Sequence, residues 1–174
     1  MDPYSSHIPI LEFIFKTRSI SSVFEFGPGK YSTRFFEENA KHTISVELTN
    51  EEWFNKVKNG VDHDRVEVLY ITDLNKALDV FAKGQNYDLV FVDGSFESRV
   101  PCIEAAFRRS PVIVTHDTEM SEFQNDPYRW NSVRLQQGYF WVDVMQFLPW
   151  TSVVTNQTRL MNELLLQYSN SRVK

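Results

Sequence analysis

Five short apolar runs in this chain each end in residues able to do chemistry. The first, Ser22 to Phe26, carries Glu25 and runs into Gly27 and Gly29. The second, His42 to Glu47, ends in a carboxylate, and the third, Val66 to Ile71, delivers Thr72 and Asp73. The fourth, Tyr87 to Val92, gives Asp93 and Gly94, and the fifth, Pro111 to Thr115, gives His116 and Asp117. Three of the six glycines therefore fall in one layer. Glycine after a strand lets the backbone turn sharply and a ligand approach the main chain, while a following helix offers free N–H groups. Carboxylates there suit ligand hydroxyls or an ammonium group.

These residues share a layer only if the runs are parallel strands joined by helices. The alternation of apolar runs with helix-spaced segments is the mark of βαβ units. Ile10, Leu11, Ile14 and Phe15 predict a helix over Ile8 to Thr17, and Phe35 with Phe36 marks a short one after Gly29. Thr49 and Glu52 predict a capping box opening a helix with Trp53, Phe54 and Val57. Asp73 caps a helix carrying Leu74, Ala77, Leu78 and Phe81, closed by Gly84. A further helix spans Arg99 to Arg109, with Pro101 tolerated in its first turn. Tyr139 to Phe147 and Ser152 to Thr155 read as an antiparallel hairpin at the sheet edge, before a last helix with Met161, Leu164, Leu165 and Tyr168. In an open parallel sheet a ligand lies beyond the carboxyl ends of the strands, where strand order reverses, and the polar residues gather there.

A length of 174 residues fits one domain, 1–174, and 42% hydrophobic with 24% charged residues excludes disorder and a coiled coil. The net charge of −5 opposes a phosphate backbone, so no nucleic-acid partner is expected. Cys102 is the single cysteine, which excludes an internal disulfide and a cysteine zinc cluster. Without an apolar signal core or membrane-length run, the expectation is a cytoplasmic protein with no membrane partner.

Several residues also have plain structural readings. Glu25 could be an exposed strand-end acid, Glu47 and Asp73 could serve helix N-termini, and His116 could be a satisfied histidine at the sheet edge. His42 and His63 read as surface residues, Cys102 as packing, and Arg99, Arg108 and Arg109 as a solvated helix face. The loop Gly27-Pro28-Gly29 admits two ligands. A dinucleotide would want a third glycine where Ser32 stands and a small apolar residue where Glu25 stands, whereas a ligand bearing an ammonium group suits Glu25.

E-F-G-P-G after the first strand, the terminal Glu47, V-F-V-D-G at the fourth and the hairpin tail together resemble the class I S-adenosylmethionine-dependent methyltransferases, over about Ser22 to Gln157. The resemblance implies a Rossmann-like α/β fold: a mostly parallel seven-stranded sheet, a C-terminal antiparallel hairpin and helices on both faces. It implies S-adenosylmethionine as cofactor and a small-molecule acceptor. Gly27 and Gly29 would border the methionine moiety, Glu25 would act at its amino end, Glu47 would bind the ribose, and Thr72, Asp73 and Asp93 would complete the cofactor site. Asp93, His116 and Asp117 are then the catalytic base candidates. D-G-S-F-E-S followed by V-I-V-T-H-D resembles, more narrowly, the metal-dependent small-molecule O-methyltransferases, which implies Asp93 and Asp117 as magnesium ligands. Mg2+ is not the favoured expectation, because His116 interrupts an oxygen-only donor set. The acceptor is expected against the irregular insertion 118–138 and the residues up to Trp141, where Phe123, Tyr128, Trp130, Tyr139 and Phe140 offer apolar walls, Tyr128 and Trp130 above all. The rival functions are a non-catalytic nucleoside-binding module and an NAD-dependent oxidoreductase.

Overall fold

The computed structural model describes residues 2–122 and 125–174. After a 3-10 turn at Pro3–Ser5 come α1 (Ile8–Thr17), β1 (Ser22–Phe26), α2 (Ser32–Asn39), β2 (His42–Glu47), α3 (Glu51–Lys58), β3 (Val66–Tyr70) and α4 (Leu74–Lys83). Then follow β4 (Leu89–Val92), α5 (Arg99–Ala106), β5 (Val112–His116), β6 (Phe140–Val144), β7 (Thr151–Thr155), α6 (Thr158–Gln167) and β8 (Ser171–Val173). The sheet order is β3-β2-β1-β4-β5-β7-β6-β8. From β3 to β5 every pairing is parallel, and β7, β6 and β8 join antiparallel. The chain leaves β1 for β2 on one side and later returns to β4 on the other, so the crevice of an open sheet lies between β1 and β4.

Alternate residues of the strands feed two cores, as a parallel sheet covered on both faces requires. Phe24, Phe26, Val90, Val92 and Ile113 face α4 and α5. Val23, Leu89, Phe91, Val112 and Val114 face α1 and α6. Phe24 lies 4.7, 4.9 and 5.2 Å from Phe26, Phe81 and Tyr87, tilted or edge-on, which adds quadrupole attraction to burial. This packing fixes where β1 and β4 end, and so where Gly27 and Asp93 stand.

Four expectations need correcting. Among the described residues the sheet has eight strands, because Ser171–Val173 pairs with β6 and makes the edge in place of the hairpin. Arg172 Nε and Lys174 Nζ stand 3.1 and 3.2 Å from the fully buried Asp143 carboxylate, so that strand is held by charge rather than by apolar pattern. At α3 the cap is Asn50, which accepts from Trp53 N, while the Thr49 hydroxyl donates to Glu47 Oε1; no Thr49–Glu52 box forms. At α5 the helix ends at Ala106, and Arg99 is buried, not solvated.

Candidate active site

Gly27, just after β1, has φ +85° and donates its N–H to Val46 O, while Asp93 N donates to Phe26 O. A Cβ on Gly27 would stand 2.6 Å from Gly94 Cα and 2.7 Å from the Asp93 carbonyl carbon. Glycine is therefore demanded there twice, by left-handed backbone and by the main chain of the β4 loop. These two loops form a floor across the switch point.

Glu25 sits behind that floor, wholly buried. Its carboxyl accepts from Ser32 Oγ at 2.6 Å and Thr33 Oγ1 at 2.7 Å, and from the Ser45 hydroxyl. Burial pushes its pKa up to about 7 despite these donors. It is thus no exposed strand-end acid; it ties the first turn of α2 to β2 beneath the glycine loop.

Glu47, at the end of β2, accepts through Oε1 from Leu48 N, Thr49 N, Thr49 Oγ1 and Asn50 N at 2.8–3.1 Å. One oxygen shapes the loop, and Oε2 accepts no hydrogen bond among the described residues. Glu47 lines a cavity of about 170 Å³ with Gly27, Pro28, Thr49, Asp93, Gly94 and Ser95. A larger cavity of about 380 Å³ is walled by Asp2, Tyr4, His7, Gly29, Lys30, Tyr31, Trp53 and Asp93. Trp53 and Asp93 line both. The Trp53 indole N–H donates to Pro28 O at 2.6 Å, and Tyr31 OH donates to Asp2 Oδ2 at 2.6 Å, closing the N-terminal segment over the glycine loop.

Asp93, His116 and Asp117 come together, their candidate ligand atoms within 4.8 Å of one another. Between the two carboxylates lies Arg99. Its Nη2 is 2.9 Å from Asp93 Oδ1 and 2.9 Å from Asp117 Oδ2, its Nε donates to Gly94 O and its Nη1 to His116 O. Tyr128 covers the guanidinium at 4.0 Å. Asp117 holds its position at φ 60°, a left-handed conformation unusual for a residue with a side chain. Burial alone would raise Asp93, but His116 and Arg99 hold it below its ordinary value; burial alone would lower His116, but Asp93 and Asp117 raise it. His116 lies in β5 between β4 and β7, not at the sheet edge.

The other expected residues lie further out. Thr72 is exposed, and Asp73 caps α4 by accepting from Asn75 N and Lys76 N. Trp130 is buried, 6.1 Å from Trp141, and its indole N–H donates to Asp117 O. Tyr128 OH donates to Asp117 Oδ2 at 3.3 Å. Both residues buttress the acid cluster, and neither is on the walls of the two cavities. Phe123 lies outside the described residues. Cys102 is buried against α5's core, which pushes its thiol pKa up and makes it inert.

Sequence reasoning missed Arg99, His7, Tyr31 and Trp53 as site residues. Arg99 did carry a signal: a cation in the first turn of a helix opposes the helix dipole and calls for anionic partners nearby. His7, ahead of α1, carried none, since its neighbours come from β4 and β5.

No family model and no curated protein matches the chain. Solved structures do. An O-methyltransferase from Bacillus cereus in complex with SAH aligns with a TM-score of 0.69 at 17% identity, over 84% of this chain and 79% of that one. The O-methyltransferase TomG from Streptomyces achromogenes, in complex with SAM, aligns with 0.65 at 14% identity, over 88% and 86%. A methyltransferase-like protein from Silicibacter pomeroyi covers 99% of this chain and 96% of its own, with 0.56 at 15% identity. At such identities the likeness establishes the fold.

Proposed function

We propose that this protein, which has the class I methyltransferase fold, is an S-adenosylmethionine-dependent methyltransferase acting on a small-molecule acceptor. The observation that carries the reading is the pair of cavities along the ends of β1, β2 and β4, joined at Trp53 and Asp93, with the uncommitted Oε2 of Glu47 in one and the glycine loop in the other. The solved relatives crystallised with SAH and SAM support it.

The residues fit the cofactor. Glu47 is an acceptor-only carboxylate suited to ribose hydroxyls, Lys30 offers a cation to an amino-acid carboxylate, and the Gly27 and Gly94 backbones leave no side chain between loop and ligand. Glu25 acts on the site by fixing Ser32 and Thr33 from behind. When bound, S-adenosylmethionine supplies a sulfonium methyl group to a nucleophile. The chain's part is to align the acceptor and exclude water, and the closed Asp2–Tyr31 contact serves both.

Metal independence belongs to the same proposal. Asp93 and Asp117 share the Arg99 guanidinium, and the His116 ring, whose pKa they raise, stands 3.7 and 3.3 Å from them, so a cation already occupies the place between the two acids. A divalent ion would have to displace Arg99 from four hydrogen bonds. A cytoplasmic location accompanies the reading, because the single Cys102 is buried and has no partner for a disulfide within the chain.

Calorimetric titration with S-adenosylmethionine and its demethylated product, with and without magnesium, is the test. Saturable binding of both, unaltered by magnesium, is expected. Absence of binding would overturn the proposal, and NAD binding in its place would favour the oxidoreductase.

A further inference from the structure

Asp93 keeps one oxygen that its cluster does not use. Oδ1 accepts from Arg99 Nη2 at 2.9 Å and faces His116 Nδ1 at 3.7 Å, while Oδ2 has no hydrogen-bond partner among the described residues. The side chain is 22% exposed and, with Trp53, lines both cavities, so Oδ2 is the oxygen left to meet a ligand. A carboxylate oxygen so placed accepts a hydrogen bond and favours positive charge arising beside it.

The larger cavity offers no group suited to take a proton from an entering hydroxyl. Both His7 ring nitrogens are buried without a partner, the ring packed beside Phe91 at 5.1 Å and edge-on to His116 at 4.9 Å. Asp2 already accepts from Tyr4 N and Tyr31 OH. Asp93 would receive such a proton only uphill, because an ordinary carboxylic acid is stronger than a phenol by about six pKa units. A neutral amine avoids that step: its lone pair attacks with every proton in place, and the nitrogen gains positive charge. The walls match that charge. Tyr4, Tyr31 and Trp53 present aromatic rings, and Asp2 and Asp93 are acids. Lys30 is the one cation among the described lining residues; its ammonium lies 4.9 Å over the Tyr31 ring, and the cofactor's carboxylate is its match in the methyltransferase reading.

We propose that the acceptor is a small amine on an aromatic body, which enters between the N-terminal segment and the glycine loop and donates an N–H to Asp93 Oδ2 as its nitrogen takes the methyl group. The proposal rests on the methyltransferase reading and adds the acceptor atom. In the step, the nitrogen lone pair forms the bond to the methyl carbon, and the carbon–sulfur bond breaks with its pair going to sulfur. Positive charge passes from sulfur to nitrogen beside Asp93. The methylated ammonium sheds its extra proton to water after release, so charge and atoms balance.

The test uses the full chain, S-adenosylmethionine and probes matched in shape: benzylamine with benzyl alcohol, and phenethylamine with phenethyl alcohol. The amines should be methylated at a rate that follows their neutral fraction, and the alcohols at least about 100-fold more slowly. In protein loaded with the demethylated product, calorimetry should show N-methylbenzylammonium binding at least about tenfold more tightly than benzyl methyl ether. In Asp93→Asn the Arg99 guanidinium keeps the amide oxygen, so an NH2 group replaces Oδ2. That variant should lose the preference for the ammonium and about 10-fold to 100-fold in kcat on benzylamine, with affinity for the demethylated product little changed. The comparisons on the unaltered chain decide the matter even if Asp93→Asn does not fold. Alcohols methylated as fast as amines, or ammonium and ether bound equally, would overturn the proposal. So would an Asp93→Asn protein that loses the demethylated product, which would give Oδ2 to the cofactor's own ammonium group. Amines left unmethylated by protein that binds S-adenosylmethionine would overturn the amine site and leave the methyltransferase reading standing, whereas failure to bind S-adenosylmethionine would remove both.

Discussion

Replacing Glu25 by Gln should stabilise the protein at neutral and alkaline pH and leave its stability unchanged in acid. Burial raises the Glu25 carboxyl from 4.5 to about 7, so the folded state keeps a proton over an interval in which the unfolded chain has already lost it. The stability owed to that proton is fully present below the unfolded value and falls by about 1.4 kcal/mol per pH unit as pH rises through the folded one. The total is on the order of 3 kcal/mol. Gln cannot ionise, and the Ser32, Thr33 and Ser45 hydroxyls that donate to the carboxylate can accept from an amide N–H instead. His7 tilts the wild-type curve the other way: its value is lowered from 6.5 to about 4, so its contribution grows as pH rises across that window. The quantity to measure is therefore the difference between the two proteins, in which His7 cancels. Urea unfolding from about pH 4 to about pH 8 should show the Gln variant's advantage growing from near zero to the order of 3 kcal/mol. A flat difference, or a wild type more stable at high pH, would refute the reasoning and make Glu25 a comfortably ionised acid.

The remaining predictions concern the site. Glu47→Gln, which keeps an acceptor oxygen for the loop N–H groups, should weaken S-adenosylmethionine binding by about 1.5–3 kcal/mol with little change in Tm; unchanged affinity in calorimetry would remove Glu47 from the cofactor. Trp130→Ala should cost about 3–5 kcal/mol of stability, read from denaturant unfolding, because the indole is buried and bonded to Asp117 O. A stable Trp130→Ala with only a raised acceptor KM would return the acceptor site to the 118–138 insertion. A chelator should leave both cofactor affinity and turnover intact, and a magnesium requirement abolished by Asp117→Asn would show that Arg99 gives way to a metal.

What the chain disclosed before folding, and what it withheld, divides by the range of the interactions. Helix α1 and strands β1 and β2 begin and end where apolar spacing predicts, because that signal lies within the elements themselves. Asp73 was readable as a cap for the same reason. Strand β8 is three residues long, too short for a period, and is held by Arg172 and Lys174 on Asp143. The layer of acids and glycines was legible as a candidate site because parallel strands bring their ends together. Arg99's partners, in contrast, come from the β4 and β5 loops, and His7's surroundings from strands about a hundred positions away. Those contacts exist only after the sheet has formed. The long aromatic insertion looked like an acceptor wall, yet Tyr128 and Trp130 cover the Arg99 cluster, a choice between lining and packing that composition does not make.

The most direct measurement is a crystal structure of the protein with the demethylated product of S-adenosylmethionine. The account predicts the ribose hydroxyls on the Glu47 carboxylate, the amino-acid end along the Gly27–Tyr31 loop, and the Arg99 guanidinium still between Asp93 and Asp117 with no metal there. Product bound away from this crevice, or a cation between Asp93 and Asp117 with Arg99 displaced, would contradict it.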